Sequence, residues 1–350
     1  MNRSPLKNIS QSIIILVLLV IPFISKSQNQ QIEEKGFIKI NGLAQWITIK
    51  GDSSKPVILF LHGGPGSPLS LYADALFKGW EKDFILVQWD QRGTGKTYGR
   101  RAPEELTPAY LKLNPLTLEE MINDGIEVAE YLVRHLSKEK IILFGTSWGS
   151  VLGIQMAEKR PDLFYVYIGH SQLVYPSNDL TLAYHKVYEL AQKAGDQKSL
   201  AVLTGIGRPP YDTARHAGQF LRIVKQYERM NSKPPPVEWM TISAEYDNEK
   251  DAHHRFDGDD YSFVHFVGDK QLAIEPMNRP ASGLSFKIPI YFIQGEKDIM
   301  TPQEISKPYF DRITAPKKEY ILLPTAAHGF NMEVVEAMLK IFSKMSIGPI

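Results

Sequence analysis

Phe144-Gly145-Thr146-Ser147-Trp148-Gly149 follows Lys140-Ile141-Ile142-Leu143 and leads into Ser150-Val151-Leu152-Gly153-Ile154-Gln155-Met156-Ala157. The stretch reads as strand, sharp turn, helix. A serine on so tight a turn is held in a sparsely populated backbone conformation, with its hydroxyl projecting from the sheet. Strand and helix then approach so closely that only glycine fits two residues before and after it. This is the geometry of an exposed nucleophile. The pattern by itself is weak, because glycine and serine at roughly 7% of residues each give a chance Gly-x-Ser-x-Gly in about one such chain in ten. The flanking sequence therefore has to decide.

Upstream, Pro56-Val57-Ile58-Leu59-Phe60-Leu61 and Phe84-Ile85-Leu86-Val87-Gln88-Trp89 are continuous apolar runs, as in strands buried on both faces. They end in His62-Gly63-Gly64-Pro65-Gly66 and Asp90-Gln91-Arg92-Gly93-Thr94-Gly95, with a helix expected between them around Leu71 to Trp80. Before them, Phe37 to Ile40 and Gln45 to Ile49 flank Asn41-Gly42 and read as a β-hairpin. Thr117-Leu118-Glu119-Glu120 is a capping box, and Ile122, Ile126, Ala129, Val133 and Leu136 follow at helical spacing. Phe164 to Ile168 is a further strand. Strands alternating with helices predict an α/β fold with a parallel sheet.

The pattern breaks at His170 and resumes at Ile288-Pro289-Ile290-Tyr291-Phe292-Ile293. Polar helical stretches such as Leu182 to Lys193 and Ala217 to Met230 lie between, so a mainly helical cap is expected over 171–285. It would be inserted in a core formed by 36–170 and 286–345. Helices near Pro302 to Lys307 and Val334 to Phe342, with the strand Tyr320 to Leu323, complete the chain.

Serine needs a histidine base oriented by a carboxylate, and donors for a tetrahedral oxyanion. Open α/β sheets place their ligands at the carboxyl ends of strands. After Ile293 that position offers Asp298, with Glu296 as local rival; after Leu323 it offers His328, out of nine histidines in the chain. The amide of Trp148, at a helix start, suits an oxyanion, and the His62–Gly66 loop would supply a second donor from Gly64 or its neighbour Gly63. Asp90 and Arg92 read as a turn cap and a structural ion pair, and His62 as bonded within its own loop.

Taken together, His62-Gly63-Gly64-Pro65-Gly66, Asp90-Gln91-Arg92-Gly93-x-Gly95, Gly145-x-Ser147-Trp148-Gly149, the turn from Gly295 to Asp298 and Ala327-His328 resemble the proline iminopeptidase branch of the α/β-hydrolases. The resemblance covers Gly36 to Lys344 except the cap. It implies an α/β-hydrolase fold with a mostly parallel eight-stranded sheet and an inserted helical cap. It also implies a serine hydrolase working without cofactor on a small-molecule or short-peptide substrate, with an acidic cap residue that binds the substrate's free amino group. The cap lacks the Trp-x-x-Trp-Glu stretch of the peptidases, and Ile206-Gly207-Arg208-Pro209-Pro210-Tyr211 is similar to a cap segment of less characterised relatives. Candidate amine-binding acids are Glu228, Glu245, Asp247, Glu249 and Asp251, and Asp257, Asp259 and Asp260 are further positions where such a carboxylate could lie. The stretch Glu245 to His254 otherwise reads as a solvated loop and not as a metal site. An esterase or amidase for non-peptide substrates is the second enzymatic reading, and a noncatalytic binding protein on the same scaffold is the third.

Composition narrows the class. The 350 residues carry no cysteine, which excludes disulfides, thiolate metal sites and a cysteine nucleophile. The formal charge is +1, and nothing in its distribution suggests nucleic-acid binding. Arg3 and Lys7, the apolar run Ile13 to Ile24 and Ser25-Lys26-Ser27 form a signal-peptide pattern over 1–27, with cleavage expected before Gln28. The apolar run, interrupted by Pro22, is short against the roughly 20 residues that span a bilayer. The expected location is therefore outside the cytoplasm, periplasmic or extracellular, with no stable membrane span after cleavage.

Overall fold

The structure is a computed structural model that describes Met1 and residues 30–275 and 283–344. Apart from Met1, the expected signal segment lies outside the described residues. Among those residues no helix is long and apolar enough to cross a membrane.

Eight strands form one sheet: β1 (Gln31–Ile40), β2 (Leu43–Asp52), β3 (Val57–Leu61), β4 (Ile85–Trp89), β5 (Ile141–Thr146), β6 (Phe164–His170), β7 (Ile290–Gly295) and β8 (Lys318–Leu323). Their order is β1-β2-β4-β3-β5-β6-β7-β8. The β1–β2 and β2–β4 pairings are antiparallel and all others parallel. The hairpin strands run longer than the sequence suggested. Asn41 and Gly42 turn at φ of 43° and 79°, a pair of positive angles that matches the twist of the strands and lets their pairing continue to Gln31 and Asp52.

The continuous apolar runs are explained by what covers the two faces. Val57, Leu59, Leu61, Ile85, Val87, Ile141 and Leu143 join one core with α4 (Leu118–His135), α5 (Trp148–Lys159) and α10 (Gln303–Arg312). Ile58, Phe60, Leu86, Ile142 and Phe144 point the other way, into a core with Leu76, Phe77, Trp80 and α11 (Met332–Lys344). Alternate side chains thus face opposite layers, and both layers are apolar.

The helix expected around Leu71 to Trp80 is not one helix. It is α1 (Ala73–Leu76) followed by a 3-10 turn at Trp80–Lys82, because Gly79 at φ 91° interrupts the helical path. Two short helices, α2 (Gly95–Gly99) and α3 (Pro108–Leu113), precede α4. Thr117 caps α4 by accepting from the Glu120 amide at 3.2 Å, while its own hydroxyl donates to the Glu120 carboxylate. Between β6 and β7 stand α6 (Pro176–Ala194), α7 (Gln197–Ile206), α8 (Ala214–Asn231) and α9 (Glu249–Val267). The first three share an apolar cluster built on Val187, Leu203, Phe220 and Val224. The stretch read as a loop from Glu245 to His254 is a loop only as far as Asn248, whose side chain accepts from the Asp251 amide at 2.9 Å and starts α9. Its run of charged residues hid this helix.

Asp90 and Arg92 hold the strand ends together. Asp90 accepts from the Lys96 amide at 2.9 Å and the Ser70 hydroxyl at 2.5 Å. Arg92 donates twice to Asp124, at 2.7 and 3.0 Å, and Asp124 also accepts from Gln45 and Asn41 in full burial. Removing one partner of such a pair strands the other charge. Arg92→Leu is expected to lower unfolding free energy by about 3 kcal/mol in urea titrations; a loss below about 0.5 kcal/mol, the scale of an exposed pair, would contradict this reading.

Candidate active site

Between β5 and α5 the chain reverses at Ser147, which has φ 51° and ψ −121°. A Cβ on Gly149 would sit 2.1 Å from the Leu61 carbonyl oxygen and 2.6 Å from that of His62. One on Gly145 would sit 2.5 Å from the Gly149 oxygen. Both glycines are therefore required by close backbone approach. The strained serine is braced on each side: its amide donates to the His170 carbonyl at 3.0 Å, and its own carbonyl accepts from the Ser150 amide and hydroxyl at 2.8 and 2.5 Å.

Three strand ends bring the polar groups together. Ser147 Oγ lies 2.8 Å from His328 Nε2, and His328 Nδ1 lies 3.1 and 3.2 Å from the two oxygens of Asp298. An Nδ1–H that donates to Asp298 leaves Nε2 free to accept from the serine hydroxyl. Asp298 also accepts from the Thr301 amide at 2.8 Å, the Thr301 hydroxyl at 2.7 Å and Gln294 Nε2 at 3.3 Å. Burial pushes Asp298 upward, but the imidazole and the Thr301 donors outweigh it and hold the carboxyl below its ordinary value. For His328 burial acts downward, and the Asp298 charge and hydrogen bond, helped by Glu228, carry it above the usual imidazole value. The rival Glu296 is paired instead with Lys297 at the surface, 2.7 Å away.

The alpha/beta hydrolase fold family profile matches residues 56–334. The chain belongs to the α/β-hydrolase family. Its similarity to "Probable aminopeptidase YbaC" of Bacillus subtilis is 32% identity over 302 residues, which is 85% of this chain and 91% of the relative. A proline iminopeptidase of Clostridioides difficile is 25% identical over 328 residues, covering 89% of this chain and 97% of that one. The hydrolase thus falls in the proline iminopeptidase-like branch. Among solved structures, VinJ superposes with TM-score 0.63 at 20% identity over 91% of this chain and 99% of its own. A Mycobacterium smegmatis proline iminopeptidase does so with 0.60 at 16% over 89% and 97%. At these identities the likeness speaks for the fold alone.

Two cavities open beside Ser147 and His328. The first, of about 170 Å³, is lined by Gly64, Ser147 and Trp148 from the sheet side and by residues of the helical segment such as Leu180, Tyr211 and Phe266. The Trp148 ring packs against Phe266 with centroids 4.2 Å apart and planes tilted by 35°, and its amide, at the first position of α5, has no acceptor within the helix. Gly64 runs at φ 115°, and Gly63 lies so near that a Cβ there would be 3.2 Å from the Ser147 Cβ. The second cavity, of about 450 Å³, has His328, Glu228 and Trp239 among its walls.

Of the five candidate acids, only Glu228 reaches the site. Its Oε1 accepts from the amides of Ile299 and Met300, at 2.8 and 3.1 Å, directly after Asp298. Burial, then repulsion from Asp298, pushes its carboxyl up to about 7. Glu245 is instead bound to Lys35 at 3.0 Å and Asp251 to Lys96 at 2.7 Å, which ties the loop before α9 to β1 and the first turn of α9 to α2. Asp247 and Glu249 are exposed there. These four are not brought to the site. Glu228, Asp298 and His328 are the one group of three potential metal ligands among the described residues, within 4.8 Å of one another. Backbone amides, Thr301 and Ser147 already engage their donor and acceptor atoms, so the group reads as a hydrogen-bonded network.

His62 is bonded within its own neighbourhood: Nδ1 faces the Gly63 carbonyl at 2.9 Å, and Nε2 accepts from the Gln91 amide at 3.3 Å. Burial pushes it down to about 4. Sequence reading missed His170, which sits beside Ser147 with Nδ1 2.9 Å from Thr146 Oγ1 and its ring 5.1 Å from Phe330. It also missed Thr301, although an aspartate three residues before a threonine and Thr301-Pro302 form a recognisable Asx-type turn.

Proposed function

We propose that the chain is a serine hydrolase that removes the amino-terminal residue of short peptides through an acyl-enzyme. The observation that carries this is the alignment of Ser147 Oγ, His328 and Asp298 at 2.8 and 3.1 Å. Ser147 Oγ attacks the carbonyl carbon while its proton passes to His328 Nε2. The amides of Trp148 and Gly64 hold the oxyanion, with Gly63 the neighbouring alternative. As the tetrahedral species breaks down, His328 returns the proton to the leaving amine and the acyl group remains on Ser147 as an ester. Water, deprotonated by the same imidazole, then releases the acid. Since a protonated imidazole accepts no proton, activity is lost as pH falls through the raised value of His328.

The similarity to an aminopeptidase and to proline iminopeptidases supports a peptide substrate with a free amine. Glu228 is then the acid to pair with that amine. A second reading, an esterase or amidase, is favoured by the smaller cavity, which no carboxylate, histidine, lysine or arginine lines among the described residues. The complete triad argues against a noncatalytic binding protein. We also propose export, on the signal pattern of residues 1–27.

The test compares prolyl and other aminoacyl arylamides, free and N-acetylated, with short aryl esters. Acetylation removes the charge and strands the carboxylate, so free amines should be preferred by about tenfold or more. Glu228→Gln should reduce that preference. Equal cleavage of both forms, or turnover of esters alone, would leave the triad standing and favour the esterase or amidase.

A further inference from the structure

The dipeptide His170-Ser171, at the carboxyl end of β6, is fully buried and lines neither cavity, yet it touches all three segments that carry the triad. The His170 carbonyl accepts from the Ser147 amide at 3.0 Å. The Ser171 amide donates, also at 3.0 Å, to the Ile293 carbonyl of β7, the strand that leads to Asp298. The Ser171 hydroxyl donates to the His328 carbonyl at 3.1 Å. Among the described residues no other hydrogen bond reaches the His328 backbone. The backbone that carries the imidazole is thus bonded to the end of β6 by that one hydroxyl. Ser171 presents it from φ 48°, a value sparsely populated for a residue with a Cβ.

Counting protons orders the groups behind that hydroxyl. Ser171 has one hydroxyl proton, and it goes to the His328 carbonyl. At the 3.4 Å contact between Ser171 Oγ and His170 Nε2 the hydroxyl must therefore accept, which places a proton on Nε2. Burial pushes His170 down to about 3, so its ring is neutral and Nδ1 carries no proton. Nδ1 then accepts from the Thr146 hydroxyl at 2.9 Å. Each group donates once and in one direction: Thr146 to His170, His170 to Ser171, Ser171 to His328. The run starts on the residue before the nucleophile and ends on the backbone of the base. Phe144 and Phe330 flank the ring, with centroids 6.5 and 5.1 Å away. We propose that Ser171, oriented by His170, is a positioning residue that sets the His328 imidazole against Ser147 Oγ. The inference rests on the serine-hydrolase reading above and adds to it two residues that line neither cavity.

The experiment follows labelling by a fluorophosphonate, whose amplitude counts folded sites and whose rate reports how readily His328 takes the serine proton. Ser171→Gly keeps φ 48° without strain and removes the donor. Ser171→Ala, which keeps the Cβ, serves in its place should the glycine variant fail to fold. Either should label to one group per chain at a rate lower by about tenfold, and kcat should fall by the same factor with KM within about twofold. A merely structural loss would instead lower the amplitude. His170→Phe fills the same space between the two phenylalanines without a ring donor. It should slow labelling about threefold in the parent and no further in Ser171→Gly, because groups in one hydrogen-bonded run do not act additively. A parent-like rate in the Ser171 variants, a lowered amplitude at an unchanged rate, a change confined to KM, or a His170→Phe effect that persists in Ser171→Gly overturns the inference. A parent protein that neither labels nor turns over arylamides and esters overturns the serine-hydrolase reading along with it.

Discussion

Ser147→Ala is expected to lower kcat/KM on any cleaved substrate by about 10⁶-fold, the scale seen when a triad nucleophile is removed. The variant should remain folded, because the removed oxygen makes its one side-chain hydrogen bond to His328, and the turn is held by backbone contacts. Circular dichroism and thermal unfolding close to those of the parent, with turnover lost, is the predicted combination. Residual activity within about tenfold of the parent would mean that another group attacks the carbonyl.

Asp298→Asn should cost about 10⁴-fold in kcat, with little change in fold. The reason lies in the donors around it. The Thr301 amide donates to Oδ1 at 2.8 Å, so the amide oxygen of an asparagine takes that side and its NH₂ takes the place of Oδ2, 3.1 Å from His328 Nδ1. An NH₂ there donates to Nδ1 and drives the imidazole proton to Nε2, where it blocks acceptance from Ser147. Loss of the carboxylate charge also removes the main influence that raises His328, so the residual activity should extend to lower pH. A loss below about tenfold would instead assign the orienting role elsewhere, and Glu228, whose carboxylate lies within 4.8 Å of the pair, is the group to vary next.

The parts of the fold that could be read directly were those whose residues answer to a purely local requirement. β3, β4 and β5 are covered on both faces, so their apolar runs are continuous, and the turns at their carboxyl ends stand out as glycine-rich interruptions. Gly145 and Gly149 bracket Ser147 because backbone atoms of β3 and α5 leave no space for a Cβ, a constraint visible in six residues. Asp298 and His328 followed from being the acid and the histidine at the ends of two later strands. Helices governed by single conformational breaks or by long-range pairing were harder. Gly79 divides the segment before β4, while the charged start of α9 looks like solvent-exposed loop until Lys35 and Lys96 are seen to neutralise it. Glu228 was one of several cap acids in sequence, and only the packing of α8 against the turn after Asp298 singles it out across 71 positions.

The central claim, that Ser147 is the attacking group, is tested most directly by reacting the folded protein with a fluorophosphonate and mapping the adduct by peptide mass spectrometry. The account predicts one added phosphonyl group per chain, on the peptide and residue of Ser147, formed more slowly as pH falls through the titration of His328. An adduct on any other residue, on Ser150 or Ser171 beside the turn for instance, or no adduct on protein that cleaves its substrate, would contradict it.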